Sequence, residues 1–134
     1  MTEMLKFDRP DEQAPIIKVI GVGGGGSNAV SYMYTQGIKG VDFYICNTDS
    51  QSLNKCEVPN KIRLGNTGLG AGANPTVGRE AAILIADDIR EILSTNTSML
   101  FITAGMGGGT GTGATPIIAQ IAKELGILTV GIIT

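Results

Sequence analysis

Short apolar runs alternate with amphipathic stretches along this chain, and glycine-rich segments separate many of them. Ile16-Ile17-Lys18-Val19-Ile20, bounded by Pro15 and Gly21, reads as a buried strand. Val41 to Cys46, Met99 to Ile102 and Ile127 to Ile133 have the same character, while the shorter Lys61 to Leu64 suits an edge strand. Helical spacing fills the intervals. One helix is expected from Ala29 to about Gln36, with Ser27 or Asn28 as N-cap and Gly37 just past its end. Asn74-Pro75 supplies a cap and a first-turn proline for a second helix running to about Leu93. Its apolar face carries Ala81, Leu84, Ile85 and Ile89, with Asp88 at the same spacing; Arg79, Glu80, Asp87, Arg90 and Glu91 form its solvated side. A third helix follows over Ile117 to Leu125.

Strands alternating with helices imply a Rossmann-like three-layer α/β domain with a mainly parallel sheet. Residues 15–134 are assigned to this domain. The polar residues 1–14, containing Pro10, read as a flexible N-terminal arm. The domain is expected to be incomplete at its C-terminal end, because the run Ile127 to Ile133 has no turn or helix after it. That leaves an apolar strand edge prone to self-association.

Glycine changes the picture from fold to chemistry. The chain has 20 glycines in 134 residues, roughly double the average share of about 7%, and they concentrate at strand ends. Residues 104–113 read Ala-Gly-Met-Gly-Gly-Gly-Thr-Gly-Thr-Gly, between a strand and a helix. A flexible linker would not sit so tightly between buried elements. Glycines let backbone N–H groups approach an anion, and a helix N-terminus adds partial positive charge. Thr110 and Thr112 contribute hydroxyls. A Walker-type loop would need Lys in this run, and none is present.

Gly21, Gly23 and Gly26 also satisfy the fingerprint G-x-G-x-x-G, with Asp42 at the distance of a ribose-binding acid. Taken alone, that fits an NAD/FAD-binding oxidoreductase, which leaves residues 107–113 and the loop at 68–73 unexplained. Asn47-Thr48-Asp49-Ser50 follows another strand. Asn47 and Asp49 there suit a ribose or the water shell of Mg²⁺, or else an Asx turn capping the next helix.

Composition removes several classes. With His 0, histidine catalysis and histidine-ligated metals are excluded. No residue stands out as a general base, so the catalytic set and the protein-ligated metal set are both none. A net charge of -2 without a basic cluster gives no reason to expect nucleic acid. Cys46 and Cys56 lack CxxC spacing and read as free thiols of a reducing cytoplasm. No signal peptide or long apolar span is present, so direct membrane insertion is not expected.

Gly-Gly-Gly-Thr-Gly-Thr-Gly at 107–113 resembles the signature of the tubulin/FtsZ superfamily. The segments at 21–30, 47–49 and 68–75 are similar to its bacterial cell-division branch rather than to tubulin. The likeness covers the chain beyond its first dozen residues. It implies a GTP-binding, GTP-hydrolysing protein that assembles head to tail with itself into the division ring of bacterial cytokinesis. Its place would be the cytoplasm at mid-cell, and its cofactors GTP/GDP with Mg²⁺ held through phosphates and water. The implied GTP-binding residues are Gly24, Gly25, Gly26, Ser27, Asn28 and Ala29 in the first loop, and Asn47 and Asp49 in the second. Ala71, Gly72 and Ala73 fall in the third, which faces the γ-phosphate. Gly107, Gly108, Gly109, Thr110, Gly111 and Thr112 form the phosphate signature.

Two departures stand out. Only two residues separate Gly65 from Gly68, about three fewer than the family pattern leads one to expect, and Ser27 stands where many relatives carry Gly. The resemblance also implies features expected beyond Thr134. These are the further ribose and base contacts, the central helix, the C-terminal domain, and the tail that meets membrane adaptors and other division proteins. The acidic loop N-x-D-x-x-D, which one subunit inserts into its neighbour's site, is likewise absent from these residues.

Overall fold

The computed structural model describes residues 16–105 and 108–134. The expected arm at 1–14 and the site residue Gly107 lie outside the described residues. Every apolar run becomes a strand: β1 (Ile16–Val22), β2 (Val41–Asn47), β3 (Asn60–Arg63), β4 (Thr97–Ala104) and β5 (Leu128–Ile133). They form one sheet in the order β3-β2-β1-β4-β5, with every pairing parallel. The helices are α1 (Gly23–Thr35), α2 (Ser50–Lys55), α3 (Pro75–Leu84), α4 (Ala86–Ser94) and α5 (Gly109–Glu124). The expected Rossmann-like α/β architecture is the one observed.

Period-two alternation assigns side chains to two apolar layers. Val19, Phe43 and Ile45 pack with Val30 of α1 and with Leu53 and Val58 on one face. Ile20, Cys46, Leu100 and Ile102 pack with Ala82, Ile89, Leu93 and Ile118 of α3, α4 and α5 on the other. Lys18 is the polar exception in the central strand and is buried. Its ammonium donates to the Ile92 carbonyl at 2.6 Å and the Thr95 carbonyl at 2.8 Å, tying the end of α4 to the sheet. Burial pushes its pKa down, partly opposed by Asp42 on the neighbouring strand.

The helix expected to run unbroken to about Leu93 is two helices, with Ile85 outside helical geometry at φ -112 and ψ 26. The cause is a competing hydrogen bond. Gly65 N–H donates to the Ala81 carbonyl at 3.1 Å, and Ile85 N–H turns instead to Ala82 at 3.2 Å. Leu84, expected on the apolar face, is 59% exposed at this break. Two further helix starts also differ. α1 begins at Gly23 and α5 at Gly109, so the glycines form first turns rather than preceding loops. Tertiary contacts described below outweigh the low helix propensity of glycine.

Among the described residues β5 pairs only with β4, and Leu128 is 64%, Ile132 50% and Ile133 46% exposed, in keeping with the apolar strand edge expected from the sequence. Ile132→Lys should lower self-association of the 134-residue chain, measured by sedimentation velocity. Unchanged association would show that β5 is not the contact.

Burial pushes the Cys46 thiol from its ordinary 9.0 up to about 12. The unfolded chain then releases a proton that the folded chain keeps. Stability is therefore intact below about pH 9 and falls as pH rises through the window to about 12. Melting temperature should drop more steeply above pH 9 in the parent than in Cys46→Ala. Parallel profiles would contradict this assignment.

Candidate functional site

β1 and β4 are neighbours from which the chain continues in opposite directions, to β2 on one side and β5 on the other. Ligands of open α/β sheets bind at the carboxyl ends of strands at such a switch point. Here α1 leaves β1 and α5 follows β4, and neither helix has a side-chain N-cap. Their neighbours α2 and α3 are capped. Asp49 Oδ1 accepts from Gln51 N–H at 2.9 Å, and Asn74 Oδ1 accepts from Thr76 N–H at 3.0 Å. The uncapped ends of α1 and α5 open into a cavity of about 330 Å³. Among the described residues no charged side chain lines it. Its polarity comes from first-turn N–H groups, which lack intrahelical partners, and from two helix dipoles.

The glycines divide into two kinds. A Cβ on Gly21 would collide with the Gly26 carbonyl, and one on Gly26 with the Thr103 carbonyl. These two glycines allow α1 to lie against β1 and β4. A Cβ on Gly109 would stand 2.7 Å from Asn74 N, and one on Gly111 2.6 Å from the Gly105 carbonyl. Gly24 and Gly108 differ: among the described residues a Cβ on either would meet nothing within 4 Å, and neither has positive φ. Gly25 has only ordinary contacts near Gly105. Across the cavity, Gly72 at φ 59 and Ala73 at φ 62 turn the third loop so that Ala71 and Gly72 face inward.

A second cavity of about 540 Å³ adjoins the first at Gly24. Ser27 is 4% exposed. Its hydroxyl and that of Ser31, one turn further along α1, are buried without a hydrogen-bond partner among the described residues. Both residues border this cavity, with Asn28 and Asn47. Buried polar atoms are normally satisfied, so these two are suited to a polar guest. Ser31, Tyr32 and Thr35 were not anticipated, although with Asn28 they continue a polar stripe at helical spacing.

Of the anticipated residues, Gly24, Gly25, Ala71, Gly72, Gly108, Gly109, Thr110 and Gly111 line the first cavity. Gly24, Ser27, Asn28 and Asn47 line the second. Gly26, Ala29, Asp49, Ala73 and Thr112 border neither. Asp49 serves as the cap of α2, the Asx alternative raised from the sequence. Asn47 Oδ1 accepts from Thr48 N–H at 2.8 Å and holds the same turn. Thr48 Oγ1 lies 2.8 Å from Thr110 Oγ1, joining the second loop to α5. Asp42 requires correction as a ribose-binding acid. It pairs with Lys18 near the start of β2, roughly 16 Å of strand from the carboxyl ends. Among the described residues no cluster of three His, Cys, Asp or Glu could hold a metal, and no helix is long and apolar enough to cross a membrane.

Comparison with known proteins agrees with this geometry. Residues 16–134 match the model of the tubulin/FtsZ family GTPase domain. The chain is 62% identical over 121 residues to the cell division protein FtsZ of Aquifex aeolicus, covering 88% of this chain and 33% of that protein. It is 56% identical over 137 residues to the FtsZ of Porphyromonas gingivalis, covering 98% and 30%. The chain thus spans about a third of the length of these curated relatives. Among solved structures, a variant of FtsZ from M. jannaschii superimposes with a TM-score of 0.88 at 39% identity, covering 98% of this chain and 40% of that one. The protein belongs to the tubulin/FtsZ family, and residues 16–134 fall in its GTPase domain.

Proposed function

We propose that these residues form the phosphate-binding part of a GTP site in a filament-forming GTPase of bacterial cell division. The observation that carries this reading is the open space at Gly24 and Gly108. Among the described residues neither packing nor backbone conformation requires glycine at either position, and inside a helix, where Gly24 lies, glycine is disfavoured by about 1 kcal/mol relative to alanine. A phosphate seated against first-turn N–H groups does require it. The adjoining cavity, with the partnerless hydroxyls of Ser27 and Ser31, takes the nucleoside of the same ligand.

Phosphoryl transfer depends mainly on positioning and charge stabilisation. The chain's share is to hold the phosphates with N–H groups of α1, α5 and the Ala71–Gly72 turn, with the Thr110 hydroxyl beside them. Mg²⁺ suits this site when carried by phosphate oxygens and water, since the Asp49 carboxylate is engaged in capping. The acids that orient the attacking water come from a neighbouring subunit, which couples turnover to head-to-tail assembly. Other division proteins and membrane adaptors bind outside these residues, at the mid-cell ring.

Equilibrium dialysis of the complete protein against GTP, ATP and NAD tests the assignment. Guanine-selective binding is the expected result. Binding of NAD with no binding of GTP would overturn it.

A further inference from the structure

The signature residue Thr110 is expected to offer its hydroxyl to a bound phosphate, but a hydroxyl has a single proton. Where that proton points depends on Thr48. The two oxygens are 2.8 Å apart, and either can donate. Thr48 is 3% exposed and Thr110 7%. Among the described residues no second partner is within hydrogen-bond reach of either hydroxyl. If Thr110 donates to Thr48, the Thr48 proton is buried without an acceptor, a loss of about 1–3 kcal/mol. If Thr48 donates to Thr110, the Thr110 proton is left to point into the open cavity that Thr110 lines. Only the second arrangement satisfies both groups once an anion is present.

We infer that Thr48 is a positioning residue: by donating its proton to Thr110 Oγ1 it turns the Thr110 hydroxyl into an obligatory donor to the phosphate. The Thr48 backbone is itself fixed. Its N–H donates to Asn47 Oδ1 at 2.8 Å, and the Asn47 carbonyl accepts from Leu64 N–H at 2.9 Å. The second loop, so far credited only through Asn47 and Asp49, thus reaches the phosphate through the residue between them. This inference rests on the phosphate-site reading above and adds a polarity to it.

The experiment compares Thr48→Val, which keeps the shape and removes the hydroxyl, with Thr48→Ser, which keeps the hydroxyl, in the complete protein. GTP and inorganic tripolyphosphate are the probes, followed by calorimetry. Loss of the neutral hydrogen bond that holds the Thr110 proton toward the phosphate predicts about five-fold weaker binding of both probes by Thr48→Val, and binding within about two-fold of the parent for Thr48→Ser. In a Thr110→Ala background, Thr48→Val should cause no further loss, because its effect passes through Thr110. Parental affinity in Thr48→Val, equal losses in Val and Ser, or an undiminished effect without Thr110 would each overturn the inference. A parent that binds tripolyphosphate but not GTP would refute the guanine assignment alone, and the Thr48 comparison would still be decided on tripolyphosphate. A parent that binds neither would overturn both.

Discussion

Gly113→Ala should destabilise this domain severely. Gly113 lies in α5 where that helix crosses α3, and a Cβ there would collide with the Pro75 carbonyl and stand 2.6 Å from Arg79 N. The reciprocal position is Gly78 of α3, whose Cβ would collide with the Gly109 carbonyl and lie 2.9 Å from Thr110 Cα. The two helix backbones therefore touch, with no side chain between them to yield. Ordinary overpacking costs about 1–3 kcal/mol because neighbouring side chains shift. Here whole helices must separate, and α5 also supplies Ala114, Ile118 and Ile121 to the larger apolar cluster. A loss of about 4 kcal/mol or more is expected, against a typical domain stability of about 5–15 kcal/mol. Gly131→Ala on β5 is the control, since a Cβ there meets nothing within 4 Å. It should change stability by no more than about 0.5 kcal/mol. Urea unfolding followed by circular dichroism separates the two. A Gly113→Ala protein within about 1 kcal/mol of the parent would show that α3 and α5 are not in backbone contact.

The same crossing explains what was and was not legible in the sequence. Strand positions follow from local runs such as Val41 to Cys46, because a parallel sheet buried on both faces needs continuous apolar segments. The cap at Asn74 and the end signal at Gly37 are equally local, and both stand as expected. The helix starts at Gly23 and Gly109 are not local. Glycine runs read as loops until it is known that another backbone passes within van der Waals contact, as the Thr103 carbonyl does at Gly26. Nor was the break at Ile85 visible, because it depends on the Gly65 N–H arriving from a distant loop. In the site, the glycine-rich runs do come together around one cavity, but composition could not separate glycines that pack from glycines that leave space. Ser31 looked like an ordinary helix residue, and only burial without a partner marks it, a feature it shares with Ser27, which the family resemblance had already named.

That separation yields a prediction with opposite signs for stability and binding. Gly24→Ala places a methyl group in α1 where nothing in the protein obstructs it. Alanine is the better helix former by up to about 1 kcal/mol, so the ligand-free protein should melt at the same temperature as the parent or higher. The methyl group nevertheless enters the 330 Å³ cavity beside the first-turn N–H groups. A phosphate displaced from two such donors loses about 1.5–3 kcal/mol for each charge-assisted bond. GTP affinity should therefore fall by about a hundred-fold or more. Gly21→Ala provides the contrast, because its Cβ would strike the Gly26 carbonyl and Val30 and so should lower stability and binding together. Melting curves and GTP titrations of both variants decide the matter. A Gly24→Ala protein that loses stability would mean that Gly24 is needed for packing. One that binds GTP like the parent would mean that the phosphates lie elsewhere.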